Sequence, residues 1–302
     1  MKVTVLAFSI KGAMGQYLHC WLDELGRRLD VTLLAPSHYL YRPTNYRWRA
    51  FETGTTKLRA AIALLNPILL WKLGRQIGQT KPEVVHLFNA EGYPGALYTA
   101  RYCHKHRLPL VTTIHDVLPH SGDALGQLLS LVRPYVLRRS QRIHLHSGGH
   151  TDALSKQGVP LERIRTIPHG SLAPVFHLAS SKIHTVSSSK KTALFFGRLE
   201  SYKGLDTLIA ASSYLPTDIK VAIAGPGKLT DPMQSAVASD PKFELHNRYL
   251  ADEEVASLFR SASVCVLPYR YSTQSSVPLI SASFGVPVVA TSVGAFFDDV
   301  PL

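Results

Sequence analysis

The chain of 302 residues is 45% hydrophobic and 18% charged, and it carries a formal net charge of +12 at pH 7. That length houses two domains with cores of their own, and the composition excludes disordered and collagen-like chains. Its three cysteines, Cys20, Cys103 and Cys265, are too widely spaced for a zinc site or a disulfide framework, which points to the reducing cytoplasm.

Short β-branched runs alternate with helical patterns throughout, which predicts an α/β protein with parallel sheets built from βαβ units. The apolar run at residues 3–10 follows a single Lys2. No small-residue cleavage site comes after it, so it reads as a first strand and not as a leader. Strands are predicted at 3–8, 31–35, 84–87, 110–114 and 143–146, and helices at 16–29, 95–106 and 151–157. Residues 60–71 are apolar too, but Asn66-Pro67 interrupts them and they are too short to span a bilayer. A further helix is predicted over 125–139, with Pro134 expected to kink or break it. Periodicity vanishes near residue 172, and SSKIHTVSSSKK reads as a linker. A second series follows, with strands at 192–196, 220–224, 243–246, 264–267 and 288–290 and helices at 204–211, 252–262 and 276–284. The expected organisation is a first domain at 1–172, a linker at 173–191 and a second domain at 192–302. The chain stops at Leu302, just past a strand and the turn Val293-Gly294, so the second domain is expected to be incomplete.

Charge divides the same way. Residues 1–176 hold 22 Lys/Arg against 10 Asp/Glu, whereas 177–302 hold 11 of each. An anionic partner is therefore expected for the first half alone. Nucleic acid is excluded, because there is no zinc spacing, RNP-like aromatic motif or long basic run. Residues 125–142 interleave leucines with Arg133, Arg138, Arg139 and Arg142, as a helix lying on an anionic membrane would. A solvated basic helix face explains the same pattern.

Several motifs sit where strands end, the edge at which open α/β sheets bind ligands. Gly12 and Gly15 join the first strand to a helix, as a phosphate- or sugar-approaching turn or as a plain tight turn. Thr113-Ile114-His115-Asp116 sets His115 at a strand end, able to hydrogen-bond a sugar hydroxyl, to shuttle a proton or to serve structurally. His169, in Pro168-His169-Gly170, is open between site and structure. Phe196-Gly197-Arg198 followed by Lys203-Gly204 puts two cations after a buried strand, where they can clamp a diphosphate and offset the charge of its departure. Gly225 and Gly227 end the next strand in a flexible turn suited to a nucleotide. Gln274, Ser275, Ser276 and Val277 open a later helix, either to offer donors to phosphate oxygens or simply to cap it.

Together these segments resemble glycosyltransferase family four, whose members have the GT-B fold of two Rossmann-like domains facing across a cleft. The resemblance covers nearly the whole chain and is most specific over 195–206 and over 267–291, through Gln274-Ser275-Ser276-Val277 and Gly285-Val286-Pro287-Val288-Val289-Ala290-Thr291. It implies a cytoplasmic, retaining transferase that takes a sugar from a nucleotide diphosphate donor, usually without a metal or other cofactor. The acceptor would be a glycan or lipid-linked molecule, as in cell-surface polysaccharide synthesis at the inner membrane face. Arg198 and Lys203 would then bind the donor diphosphate, His115 the donor sugar, and Gly12 would line the cleft. Ser272 and Ile280 stand where many members carry two glutamates, the later of which commonly holds the nucleotide ribose. Two alternatives share the architecture: a nucleotide-sugar 2-epimerase, which needs cleft carboxylates, and a catalytically silent binding module.

Overall fold

In the computed structural model of the chain, the β-branched runs become two separate, entirely parallel sheets. The structure describes all residues except 9, 11, 54–58, 60, 61, 64, 89–93, 116–131, 149, 150, 181–190, 273, 274, 294, 295 and 297–302, and the side chains of 177–180. Residues Met1–Gly170 form one compact unit and Ser171–Leu302 another.

The first unit contains β1 (Lys2–Ala7), β2 (Asp30–Pro36), β3 (Arg47–Phe51), β4 (Val84–Phe88), β5 (Leu110–Ile114), β6 (Arg142–Leu145) and β7 (Ile164–Thr166) in the order β3-β2-β1-β4-β5-β6-β7. Its helices are α1 (Ala13–Gly26), α2 (Pro67–Thr80), α3 (Pro94–Lys105), α4 (Arg133–Arg139) and α5 (Thr151–Lys156). The central strands are covered on both faces, so they read as unbroken apolar runs rather than alternating ones. Leu6, Leu34, Val85 and Leu87 meet Leu73 and Ile77 of α2 and Ala96, Ala100 and Cys103 of α3 in one core. Ile114, Ile143 and Leu145 pack with Leu137 and Leu154 in a second.

Prolines act differently from the sequence expectation. Asn66 caps α2, its side-chain oxygen accepting from the Ile68 N–H at 2.9 Å, and Pro67 takes the first turn where its missing donor costs nothing. The dipeptide that interrupts the apolar run is thus a helix start. Pro134 likewise lies in the first turn of α4, and residues 125–131 of the helix predicted over 125–139 fall outside the described residues.

The second unit contains β8 (Lys191–Phe196), β9 (Ile219–Ala224), β10 (Phe243–His246), β11 (Val264–Leu267) and β12 (Val288–Ala290), ordered β10-β9-β8-β11-β12. Its helices are α6 (Ala173–Ser180), α7 (Leu205–Ala211), α8 (Asp231–Ser239), α9 (Asp252–Ser261) and α10 (Val277–Ser283). Phe195, Val221 and Ile223 pack with Leu199, Leu205, Leu208 and Val237. On the other face Phe259 of α9 stacks on Phe284 at 5.8 Å, and Phe176 of α6 lies 6.1 Å from Phe284. This contact corrects the linker expectation: residues 173–180 are helical because Val175 and Phe176 are buried. The Ser-rich stretch that suggested a linker falls at 181–190, outside the described residues.

Strands β3 and β7 had no signal in the sequence pattern. Both are sheet edges with mostly exposed side chains, so neither needs an apolar run. Among the described residues no helix is long and apolar enough to cross a membrane.

The turn between β8 and α7 depends on Gly204, which sits at φ 68°, ψ 30° with its Cα against the Pro268 carbonyl. A side chain there is disfavoured by the backbone conformation and would overlap that carbonyl. Gly204→Ala should therefore lower unfolding free energy by about 3 kcal/mol, measured by urea denaturation with circular dichroism. Gly158→Ala is the control, having φ 83° but open space around the new methyl group. It should cost only about 1 kcal/mol.

Candidate functional site

In each sheet the chain order reverses beside the first strand: β1 lies between β2 and β4, and β8 lies between β9 and β11. Loops leaving the carboxyl ends on either side of such a point diverge and leave a crevice. The candidate residues collect at these two edges, which are described in turn.

At the edge of the second sheet, β8 runs into Gly197, Arg198 and a 3-10 turn over Ser201–Lys203. That turn folds Lys203 back so that its Nζ donates to the Tyr269 hydroxyl just past β11, spanning the switch point between β8 and β11. Nζ also lies 4.1 Å from the Tyr269 ring centroid and 5.6 Å from that of Tyr202. Only 7% of Lys203 is exposed. Burial first, and the positive Arg198 second, bring its pKa down to about 7. Burial pushes the Tyr269 phenol up, and hydrogen bonding with Ser275 draws it part of the way back. Arg198 stays half-exposed and meets Glu200 at 3.4 Å, a surface pair that constrains it little.

Backbone shapes the rest of this edge. Gly225 has φ 138° and lies so close to the Gly197 carbonyl that any side chain would overlap it. Its N–H donates to the His246 carbonyl at 3.0 Å, and the Gly227 N–H donates to the Asn247 side chain at 3.0 Å. Ser275 is buried, its hydroxyl accepting from the Val277 N–H at 3.3 Å. Ser276 precedes α10 without a side-chain cap bond. Ser275 thus does the capping, and Val277 is buried against the core. Gln274 lies outside the described residues. Of the two positions where the family resemblance implies glutamate, Ser272 is buried with an unpartnered hydroxyl among the described residues, and Ile280 is part of the core.

At the edge of the first sheet, Gly12 precedes α1 with φ 58° and nothing within 4 Å of where a Cβ would stand. His115 follows β5 and is 7% exposed. Its ring packs on Phe88 at 5.1 Å and on His146 at 4.4 Å, and neither ring nitrogen has a hydrogen-bond partner among the described residues. His169 stacks on Tyr17 at 3.8 Å while its Nδ1 meets the Gly170 carbonyl at 2.9 Å.

Below this cluster runs a polar ladder that no motif announced. His86 on β4 meets Thr113 on β5 at 2.7 Å, Thr113 meets His144 on β6 at 3.0 Å, and His144 meets the Ile167 carbonyl at 3.1 Å. The carbonyl only accepts, so His144 carries its proton on Nε2. Its Nδ1 therefore accepts from the Thr113 hydroxyl, whose oxygen accepts from His86 Nε2–H. The available signal was histidine at alternate positions: His144 and His146 of one strand end share a face with His115 of the next. Despite their number, these histidines form no group able to hold a metal among the described residues.

The predicted membrane arginines lie elsewhere in the first unit. Arg138 and Arg142 are exposed, and Arg139 lies over the Tyr135 ring at 5.2 Å. Val136 and Leu137, the apolar residues just before them, point into the core, and residues 125–131 of the predicted basic segment lie outside the described residues.

Two Rossmann-like units, each with its candidate residues at a switch point, define the architecture of nucleotide-sugar-processing proteins of GT-B type. Residues 12–170 match the glycosyl transferase 4-like domain, and residues 190–300 match the glycosyl transferases group 1 domain. The chain belongs to this glycosyltransferase family. It is 27% identical to glycogen synthase of Mycobacterium tuberculosis over 288 residues, 90% of this chain and 66% of the relative. It is 28% identical to D-inositol 3-phosphate glycosyltransferase of Paenarthrobacter aurescens over 211 residues, 62% of this chain and 51% of the relative. The chain thus spans less than two thirds of these relatives. Anabaena HepE, solved in complex with UDP and glucose, superposes with a TM-score of 0.72 at 16% identity, over all of this chain and 83% of that one.

The histidine cluster predicts acid lability. Burial lowers His86 and His146 to about 3 and His169 to about 4, and holds His115 well below its ordinary value, so all four are neutral in the fold. Unfolded, each titrates near 6.5. The unfolded chain therefore binds more protons in acid: this stability is complete above about pH 6.5 and is lost as pH falls toward 3. His86 alone should cost about 2 kcal/mol at pH 5. Trp21, Trp48 and Trp71 all lie in this unit, so the midpoint of urea unfolding followed by tryptophan fluorescence should drop sharply from pH 7 to pH 5. A flat profile would contradict the assignment.

Proposed function

We propose that the protein is a retaining glycosyltransferase that moves a sugar from a nucleoside diphosphate donor to a glycan or lipid-linked acceptor, serving cell-surface polysaccharide synthesis at the cytoplasmic face of an anionic membrane. The observation that carries this reading is Lys203, a desolvated amine held by Tyr269 at the strand-end edge with the freer Arg198 beside it. An amine with a pKa near 7 in such a place is stabilised by an arriving anion.

In this reading the diphosphate charge that grows as the glycosidic bond breaks falls on Lys203 and Arg198, the former fixed by packing and the latter free to swing in. Gly225 and Gly227 let the nucleotide approach the backbone. His115 is neutral, so it offers a donor sugar one N–H and one lone pair and serves as a hydrogen-bonding group, not as an acid. Retention requires attack on the face that the diphosphate leaves, and the protein's part is to hold both partners and offset the charge. The 2-epimerase alternative is less well supported, since Ser272 and Ile280 supply no carboxylate. The silent-module alternative leaves the buried lysine without a purpose.

Calorimetry with UDP tests the donor site. Arg198→Ala and Lys203→Met should each weaken binding by about 1.5 kcal/mol or more, as expected for hydrogen bonds to charged groups. Below pH 7 Lys203 is already charged, whereas above pH 7 binding must recruit a proton. Affinity of the unaltered protein should therefore fall about tenfold per pH unit above 7, with proton uptake, and Lys203→Met should abolish that slope. Unchanged affinity in both variants would sink the assignment.

A further inference from the structure

We propose that the outer face of α2 and the residues just before it form the surface through which the protein docks on an anionic lipid bilayer. This inference rests on the membrane-face reading above and relocates the contact from the arginines around α4. Four large apolar side chains stand out in water within ten residues: Ile62, Leu65, Ile68 and Trp71, exposed by 59%, 65%, 63% and 60%. Ile68 and Trp71 share a helix face with Lys72 and Arg75, by their spacing of three, four and seven residues. The Arg75 guanidinium lies 5.8 Å from the Trp71 ring centroid.

The helix cannot turn this face inward. Leu73, Gly74 and Ile77 are buried on its opposite side, and Gly74 lies so close to the Tyr98 hydroxyl that a Cβ would overlap it. The apolar row is therefore fixed outward by packing beneath it. Scattered exposed apolar residues need no explanation, but a row beside cations does.

Charge identifies the occupant. Residues 53–82 hold Lys57, Arg59, Lys72, Arg75 and Lys81 and no Asp or Glu, within a half of the chain that carries the whole net charge. Tryptophan and isoleucine insert at the boundary between headgroups and acyl chains, while lysine and arginine stems reach up to anionic headgroups. A protein partner fits less well, since lysine is depleted in interface cores. Around α4 the described residues show no such row, since Val136 and Leu137 are buried, and residues 125–131 lie outside the described residues.

The test is sedimentation with vesicles of phosphatidylglycerol and phosphatidylcholine in equal parts at low salt, using the 302-residue chain. Ile68→Ser with Trp71→Ala should reduce partitioning about tenfold or more, from the loss of two inserted apolar side chains. Arg138→Gln, Arg139→Gln and Arg142→Gln together should change it by less than about threefold once salt is raised to about 0.15 M, where charges held off the docking face are screened from the bilayer. Bromine-labelled lipids should quench tryptophan emission, and Trp71→Phe should remove the quenching while binding persists. If the α2 variant binds like the unaltered chain, or only the arginine variant loses binding, the docking surface is overturned and the membrane reading survives. If the unaltered chain binds no vesicles, both fall, and UDP affinity then decides the donor-site reading by itself. Dimerisation abolished by the α2 variant, with vesicle binding unaffected, would assign the face to a second copy and also overturn the proposal.

Discussion

Parallel pairing sends the carboxyl end of every strand to one edge of its sheet, and the candidate chemistry of this chain lies along two such edges. The second unit shows how much depends on that constraint. Lys203 leaves β8 and Tyr269 leaves β11, which are adjacent in the sheet yet more than sixty residues apart in sequence. Both reach the same edge because both strands run the same way. Gly204 and Gly225 let the intervening turns pack closely enough to keep the amine between the two loops.

Desolvation then gives the two edges different chemistry. In the first unit it holds four histidines neutral, and the Thr113 ladder fixes the tautomers of His86 and His144. Neutral imidazoles suit hydroxyl groups. In the second unit the same effect weakens the hold of Lys203 on its proton without removing it, which is the basis of the anion site proposed above. One physical cause, burial without a countercharge, thus leaves neutral imidazoles at one edge and a weakly held proton on an amine at the other.

The basic surface of the first unit shows why charge alone is a poor guide to a docking face. The segments around α2 and α4 both combine cations with leucine-like residues in sequence. In α4 Val136 and Leu137 complete the core, Arg133 is buried, Arg139 lies over the Tyr135 ring and Arg138 is exposed. In α2 the core claims Leu73 and Ile77, and Ile68 and Trp71 remain outside with Lys72 and Arg75.

The sequence by itself determined the α/β class, the central strands of both sheets and the strand-end positions of His115, Arg198, Lys203, Gly225 and Gly227. Those signals are local: a strand covered on both faces must be apolar throughout, and a turn that approaches another backbone needs glycine. Edge strands β3 and β7 escaped because exposed strands need no apolar run, and α6 escaped because Val175 and Phe176, the buried residues among its described side chains, are too few to make a period. Asn66-Pro67 reads in the sequence only as an interruption of an apolar run, and becomes a helix start because the Asn66 side chain meets the Ile68 N–H. Tertiary structure alone decided that Tyr269 receives Lys203, that His86, Thr113 and His144 form one ladder, and that Trp71 faces water. Each of these depends on which strands are neighbours and which helix face the core claims, and those are properties of packing between segments far apart in the chain.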